Sequence, residues 1–244
     1  MACTPRVLAC LTTSTGVLRN PYTERVGERL AIVGAGGFGR ETYDLIRSCD
    51  PHSARWDIAG FVDAMADATL LSAIGSHWLG TDEDFLSGGR ADSVLLAVGD
   101  PHLRSRLATR YRDAGVSIAS FVHPSADVGT NTSLGEGCIV SARAMVMNSS
   151  RLGDFANVDR RAMVGHDSRI DDFGTLHPAA VVSGRVSVGS LSRLGTCSCV
   201  LPDVVIGSSV TVGAGAVVVS SVPNGVTVAG VPARPLAPRH SRPT

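Results

Sequence analysis

The chain contains no lysine: all 22 of its basic residues are arginine. That excludes a Schiff-base lysine and the phosphate-binding lysine of a Walker A loop. Aromatic residues make up only 5% of the 244 positions, so the interior is not built around large rings. Acidic residues also number 22, leaving a net charge of zero. With no basic stripe, nucleic acids and anionic membranes are poor partners. The six cysteines (Cys3, Cys10, Cys49, Cys138, Cys197 and Cys199) show no CxxC spacing and no disulfide framework. They read as reduced thiols of a cytoplasmic protein. No apolar run could span a bilayer, and Val7 to Leu11 is too short for a signal-peptide core.

The chain is rich in one periodicity. Sixteen aliphatic residues stand at intervals of six from Val128 to Val218. A fixed period over this length marks a repeat architecture. Six fits neither the helical period nor simple strand alternation, but it suits a short strand and a corner, repeated three times per coil. The residue two before each aliphatic is usually small, as at Ala126, Cys138, Ala144, Ala162, Ala180 and Ala216. Positions two apart on a strand share a face, so each side of the coil would point one large and one small side chain inward. Gly follows the aliphatic at positions such as Gly135, Gly153, Gly189 and Gly207, where corners are expected to need unusual backbone angles. Three hexapeptides per coil and about five coils give a prism roughly 24 Å tall.

The segment before the repeats follows another pattern. Leu30 to Val33 reads as a buried strand, followed by Gly34-Ala-Gly-Gly-Phe-Gly39 and a helix over Arg40 to Ser48. Further strands are expected over Trp56 to Val62, Ser93 to Val98 and Val116 to Phe121, with a helix over His102 to Ala114. Alternation of this kind makes a small parallel, Rossmann-like α/β domain. The expected boundaries are an extension over 1–28, the α/β domain over 29–121, a β-helix over 122–236 and a tail over 237–244. The glycine turn can bring backbone N–H groups to a phosphate at a helix N-terminus. Asp63, ending the second strand, is placed to accept from a ribose hydroxyl or a base. A dehydrogenase is discounted, because the domain is only half of a full dinucleotide fold and no hydride-transfer residues are evident.

The combination resembles one family, the hexapeptide-repeat sugar O- and N-acetyltransferases typified by sialic acid O-acetyltransferase and by bacillosamine and perosamine N-acetyltransferases. The motifs that carry the resemblance are Ile32 to Glu41, Gly60-Phe-Val-Asp63, Phe121-Val-His-Pro124, Val164-Gly-His-Asp167, Gly207 to Val218 and Gly230 to Arg234. The resemblance implies a left-handed parallel β-helix and a homotrimer that binds acetyl-CoA in a groove between subunits. It implies a nucleotide-linked amino sugar as acceptor, held by the N-terminal domain through Gly36, Gly37, Phe38, Gly39, Asp63 and Gly99. It makes His166 the general base and Asp167 its orienting carboxylate; the reaction needs a group that titrates near working pH. Gly184, eighteen residues after His166, becomes a backbone donor to the acyl carbonyl. Thr175, Thr196 and Ala214 join it along the acetyl-CoA groove.

Two departures stand out. Family members often have Asn-Thr-Gly seven residues before the base, where this chain has Asp159-Arg160-Arg161; two extra cations would suit an anionic acceptor. Many have a second His nine residues after the base, where this chain has Thr175, with His177 two residues on. No metal site is expected, since His166 and His177 lack an obvious third ligand. The alternatives are an O-acyltransferase acting on a sugar or secondary-metabolite hydroxyl, and a non-catalytic sugar-nucleotide-binding protein.

Overall fold

The computed structural model describes residues 27–49, 56–88 and 91–237. The expected extension, save its last two residues, and the tail beyond Ala237 lie outside the described residues, as do Cys3, Cys10, His52 and His240. Strands β1 (Glu28–Val33), β2 (Trp56–Val62), β3 (Ser93–Leu96) and β4 (Ser117–Ile118) form a parallel sheet in the order β2-β1-β3-β4. Leu30 to Val33 are at most 2% exposed. Such a continuous apolar run is what a parallel sheet covered on both faces requires. Helix α1 (Gly37–Ser48) follows the glycine turn, and α4 (Pro101–Asp113) starts at an Asp100 cap that accepts from Leu103 N. Between β2 and β3 lie two short helices that the sequence reading did not name, α2 (Ala68–Ala73) and α3 (Asp82–Gly88). The strand expected over 116–121 divides. Ser117–Ile118 stays in the sheet, whereas Phe121–Val122 pairs with Ile139–Val140 as the first rung of the solenoid.

The solenoid has three walls of two-residue strands, each pairing in parallel with the strand eighteen residues on, except that the three-residue last strand, Thr227–Ala229, pairs with Thr211–Val212 at an offset of sixteen. The first wall runs through Phe121–Val122, Ile139–Val140, Asn157–Val158, Thr175–Leu176, Arg193–Leu194, Thr211–Val212 and Thr227–Ala229. The second runs from Asp127–Val128 to Val217–Val218, and the third from Ser133–Leu134 to Val205–Ile206. Of the sixteen periodic aliphatics, fourteen are at most 1% exposed; Val128 and Leu134, in the first turn, are partly buried. The stack has about six turns instead of five, because Phe121–Val122 precedes the aliphatic series and Thr227–Ala229 follows it. At sheet spacing that is roughly 29 Å.

The corners are built differently from the expectation. The glycines that follow the aliphatics do not carry positive φ. Left-handed backbone falls instead at every sixth residue from Asn131 to Gly215, and thirteen of those fifteen residues are not glycine. What requires glycine after the aliphatic is the next turn of chain. A Cβ at Gly135 would lie 2.6 Å from Asp154 N, and one at Gly189 2.6 Å from Ser208 N.

The walls differ in what they face. The N-terminal domain covers the early rungs of the first wall: Phe121 and Ile139 bury themselves with Leu30, Ile32 and Phe61, and Phe155 with Ala31, Val33 and Tyr111. Arg104 of α4, fully buried, reaches across this junction. Its Nη1 donates to the carbonyl of Val98 at 2.6 Å, its Nε to that of Phe155 at 3.1 Å, and its Nη2 to Phe173 O and Thr175 Oγ1, both at 2.8 Å. Desolvation lowers its pKa to about 10. The third wall is mostly polar outside, with Ser133, Arg151, Arg169 and Ser187. The second presents Met145, Met163, Val181, Cys199 and Val217, with exposed Met147, Leu201 and Val219 along its border.

Candidate active site

His166 and Asp167 occupy the corner between the second and third walls. Asp167 takes the left-handed corner position, with φ of 57°, a conformation that Asp tolerates better than most residues. That conformation brings its carboxylate back to the preceding ring, and His166 Nδ1 lies 2.7 Å from Asp167 Oδ2. Both side chains are half exposed. Gly184 stacks on His166 in the next turn, where a Cβ would collide with Nε2 and Cε1. Side-chain-free backbone therefore faces the imidazole edge that remains after Nδ1 is engaged. The ladder bonds here run from Ser183 N to Val200 O and from Arg185 N to His166 O, bypassing the Gly184 N–H. Above Asp167, Arg185 makes a two-point ion pair with Asp203 at 2.6 and 2.8 Å.

The residues expected along the acetyl-CoA groove do not lie together within one chain. Thr196 and Ala214 are exposed in adjacent turns of the corner between the first and second walls, across the second wall from His166 and Gly184. Thr175 departs from the expectation. Its outward position on the first wall lies beneath the N-terminal domain, leaving it 4% exposed with its hydroxyl accepting from Arg104.

The glycine turn divides into structural and open positions. A Cβ at Gly39 would overlap Gly34 O, so Gly39 serves close helix–strand packing. Phe38 packs against the domain core. Gly36, Gly37 and Gly99 have open space around the Cβ position and face the C-terminal ends of β1 and β3, where parallel sheets bind ligands. Asp63 is already engaged: Oδ2 accepts from Ala35 N and Oδ1 from Met65 N, each at 2.7 Å. It shapes the turn, whatever else it contacts.

At Asp159-Arg160-Arg161 one of the two extra cations is paired within the chain. Arg160 pairs with Glu41 of α1 at 2.9 Å, and Arg161 takes an exposed left-handed corner. Asp159 is 8% exposed and accepts from Arg160 N at 2.6 Å. It belongs to a column of corner residues one turn apart, His123, Ser141, Asp159 and His177. Burial lowers the pKa of His177, against a raising influence from Asp159, and burial with Arg160 lowers that of His123. The fold therefore favours both rings neutral, while the unfolded chain takes up their protons below pH about 6.5. Stability from these rings is present above that pH and is lost as pH falls towards the depressed folded values. The melting temperature should drop from pH 7.5 to 5.5, and less steeply in a His123→Gln/His177→Gln variant. Parallel decline in both proteins would discount the rings.

Among the described residues no group of three or more His, Cys, Asp or Glu could hold a metal ion. Arg104 escaped the sequence reading altogether, since an arginine one turn into a helix carries no mark of the carbonyls it will meet.

Comparisons bear on the whole assembly. The PglD N-terminal domain family matches residues 29–111. No curated protein matches the chain. A solved mutant of perosamine N-acetyltransferase from Caulobacter crescentus, in complex with CoA and GDP-perosamine, is 34% identical, with a TM-score of 0.77 over 85% of this chain and 96% of that one. The acetyltransferase domain of PglB from Neisseria gonorrhoeae, in complex with acetyl coenzyme A, is 33% identical, with a TM-score of 0.79 over 86% of this chain and all of that one. WeeI from Acinetobacter baumannii is 27% identical, with a TM-score of 0.75 over 85% of this chain and 99% of that one. With an α/β domain of the PglD type seated on a three-walled solenoid, and about a third of the aligned residues shared with the perosamine and PglB enzymes over nearly their full length, the chain belongs to the sugar acetyltransferase family and is an acyltransferase.

Proposed function

We propose that the protein transfers the acetyl group of acetyl-CoA to the amino group of a nucleotide-linked amino sugar, with His166 as general base. The observation that carries this is the 2.7 Å His166 Nδ1–Asp167 contact with Gly184 stacked against Nε2. The carboxylate fixes the tautomer that leaves Nε2 as acceptor. Nε2 takes the proton from the acceptor amine as its nitrogen attacks the thioester carbonyl, and returns it to the departing CoA sulfur. The Gly184 N–H, free of the ladder, donates to the acyl oxygen as charge develops there. The perosamine enzyme bound to CoA and GDP-perosamine and the PglB domain bound to acetyl coenzyme A support this donor and acceptor class. Incubation with acetyl-CoA and a panel of UDP-, GDP- and dTDP-linked amino sugars and their hydroxyl-only counterparts, read by mass spectrometry, should yield one acetylated at nitrogen. Acetylation confined to hydroxyl-only sugars would reject the reading.

We infer that the working form is a homotrimer. The first wall is covered in its early rungs and polar beyond them at Arg193, Thr211 and Thr227, and the third is mostly polar, so the apolar second wall is the one that calls for a partner. Its two borders carry His166 with Gly184 on one side and Thr196 with Ala214 on the other. Packing between copies brings one border of each chain to the other border of its neighbour, which supports an acetyl-CoA groove shared between subunits. Light scattering should give three times the 25.3 kDa chain. Val181→Arg, central on that wall, should give monomers without acetyltransferase activity; an active monomer would refute the shared groove. No helix among the described residues is long and apolar enough to cross a membrane. The free thiols of Cys49, Cys138, Cys197 and Cys199 support a reducing, cytoplasmic setting.

A further inference from the structure

Trp78 is 47% exposed and Met65 90% exposed, both beside the C-terminal end of β2, the edge strand of the parallel sheet. Residues 77–79 run alongside β2: Phe61 N donates to His77 O at 2.8 Å, and Leu79 N to Phe61 O at 2.7 Å. Trp78 thereby sits next to Phe61, and its Nε1 donates to the carbonyl of Asp63 at 3.0 Å. Asp63 is engaged at all of its polar groups. Its N–H donates to Gly80 O, its carboxylate oxygens accept from Ala35 N and Met65 N, and its carbonyl holds the indole. One residue thus couples the glycine turn, the end of β2 and the orientation of the Trp78 ring. That hydrogen bond uses the single polar atom of the indole, so the exposed remainder is apolar ring surface. An anchored indole left half exposed offers a rigid aromatic face that the fold itself has not covered.

We propose that the Trp78 ring is the platform on which the base of the acceptor's nucleotide stacks, and that this base is a purine. The proposal rests on the nucleotide-linked acceptor proposed above and narrows it. The Asp63 carboxylate touches Ala35, next to Gly36 and Gly37, whose open Cβ positions leave backbone free to approach phosphates at the start of α1. A nucleoside diphosphate with its phosphates there and its base towards Trp78 lies across Asp63, along the C-terminal ends of β1 and β2. Both Asp63 oxygens already accept main-chain N–H groups, so recognition of the base falls on stacking instead of on that carboxylate. Stacking needs no hydrogen-bond code, and its strength follows the area of overlap. The two fused rings of a purine cover an indole face more fully than the single ring of a pyrimidine.

The chain has two tryptophans, and the other, Trp56, packs against Phe121. A Trp56→Phe protein therefore reports on Trp78 alone. Its fluorescence should be quenched saturably by GDP or ADP, and that purine diphosphate should bind about threefold or more tightly than UDP and dTDP. By titration calorimetry, Trp78→Ala should lose about tenfold or more in affinity for the purine diphosphate, with acetyl-CoA affinity unchanged and the melting temperature within about 2 °C. Trp78→Phe, which keeps an aromatic face, should lose less. Equal losses in the two variants would show that the ring only supports the turn through Asp63, and unchanged affinity in both, or a diphosphate that binds without quenching, would remove the ring from the site; each overturns the platform. A changed particle mass for Trp78→Ala would place the ring in a subunit contact and overturn it too. UDP or dTDP binding as tightly as the purines would overturn the choice of base, and quenching by acetyl-CoA would assign the ring to the acyl donor instead. If the protein binds acetyl-CoA but no nucleoside diphosphate of any kind, the acceptor class itself is wrong, and the platform falls with it.

Discussion

His166→Ala will lower turnover by about 10²–10⁴-fold, the loss characteristic of a missing general base, and will leave the fold intact. The ring stands half exposed at a corner, outside the solenoid core, and substitutions at such places shift stability by no more than about 0.5 kcal/mol. Asp167→Asn should fall between the two, because it keeps the shape but can present the wrong partner to Nδ1. The measurement is kcat and KM for both substrates beside a melting curve. A variant within threefold of wild type would remove His166 from the chemistry, and one that fails to fold would place the ring in the structure.

The largest effect on stability belongs to Arg104. Arg104→Leu strips donors from three main-chain carbonyls and the Thr175 hydroxyl at once. Breaking a buried network of this kind costs about 3–5 kcal/mol, or roughly 10 °C in melting temperature for a chain of this length. Arg104→Lys should recover little, since an ammonium group has three donors and lacks the planar fork that reaches both domains. Near this junction the acceptor KM should rise while the KM for acetyl-CoA holds, because the guanidinium holds the end of β3 against the solenoid. A melting temperature within about 2 °C of wild type would show that the carbonyls find other donors.

The solenoid was legible because its constraint repeats: one aliphatic every six residues leaves few alternatives, and all sixteen mark inward positions. The corners were misread for a physical reason. Glycine is the usual signature of left-handed backbone, but here the turn-to-turn ladder imposes that conformation on Phe155, Arg161, Asp167 and Leu191 regardless of their own preference, and glycine marks contact between turns instead. The His166–Asp167 pair was visible as a motif, and stacking by eighteen placed Gly184 beside it. Thr175 was assigned to the wrong surroundings because periodicity says that a residue faces outward without saying what covers it. The same limit hid Arg104, whose meaning comes from carbonyls in both domains. Asp63 looked available because a sequence does not show that Ala35 N and Met65 N already use its oxygens.

The eighteen-residue offset between paired rungs also restricts how chain length can vary in descendants of this protein. Inserting one residue in a strand would turn every later aliphatic from the interior to the surface, and six would rotate each subsequent wall into the place of the next. Whole turns, or bulges at the corners, are the changes that keep the prism intact. Adding a turn above Gly184 leaves His166 facing the same backbone, whereas adding one between them separates the pair while the fold survives. The distance from His166 to Gly184 is thus inherited as a fixed unit, and drift in length is tolerated only outside it.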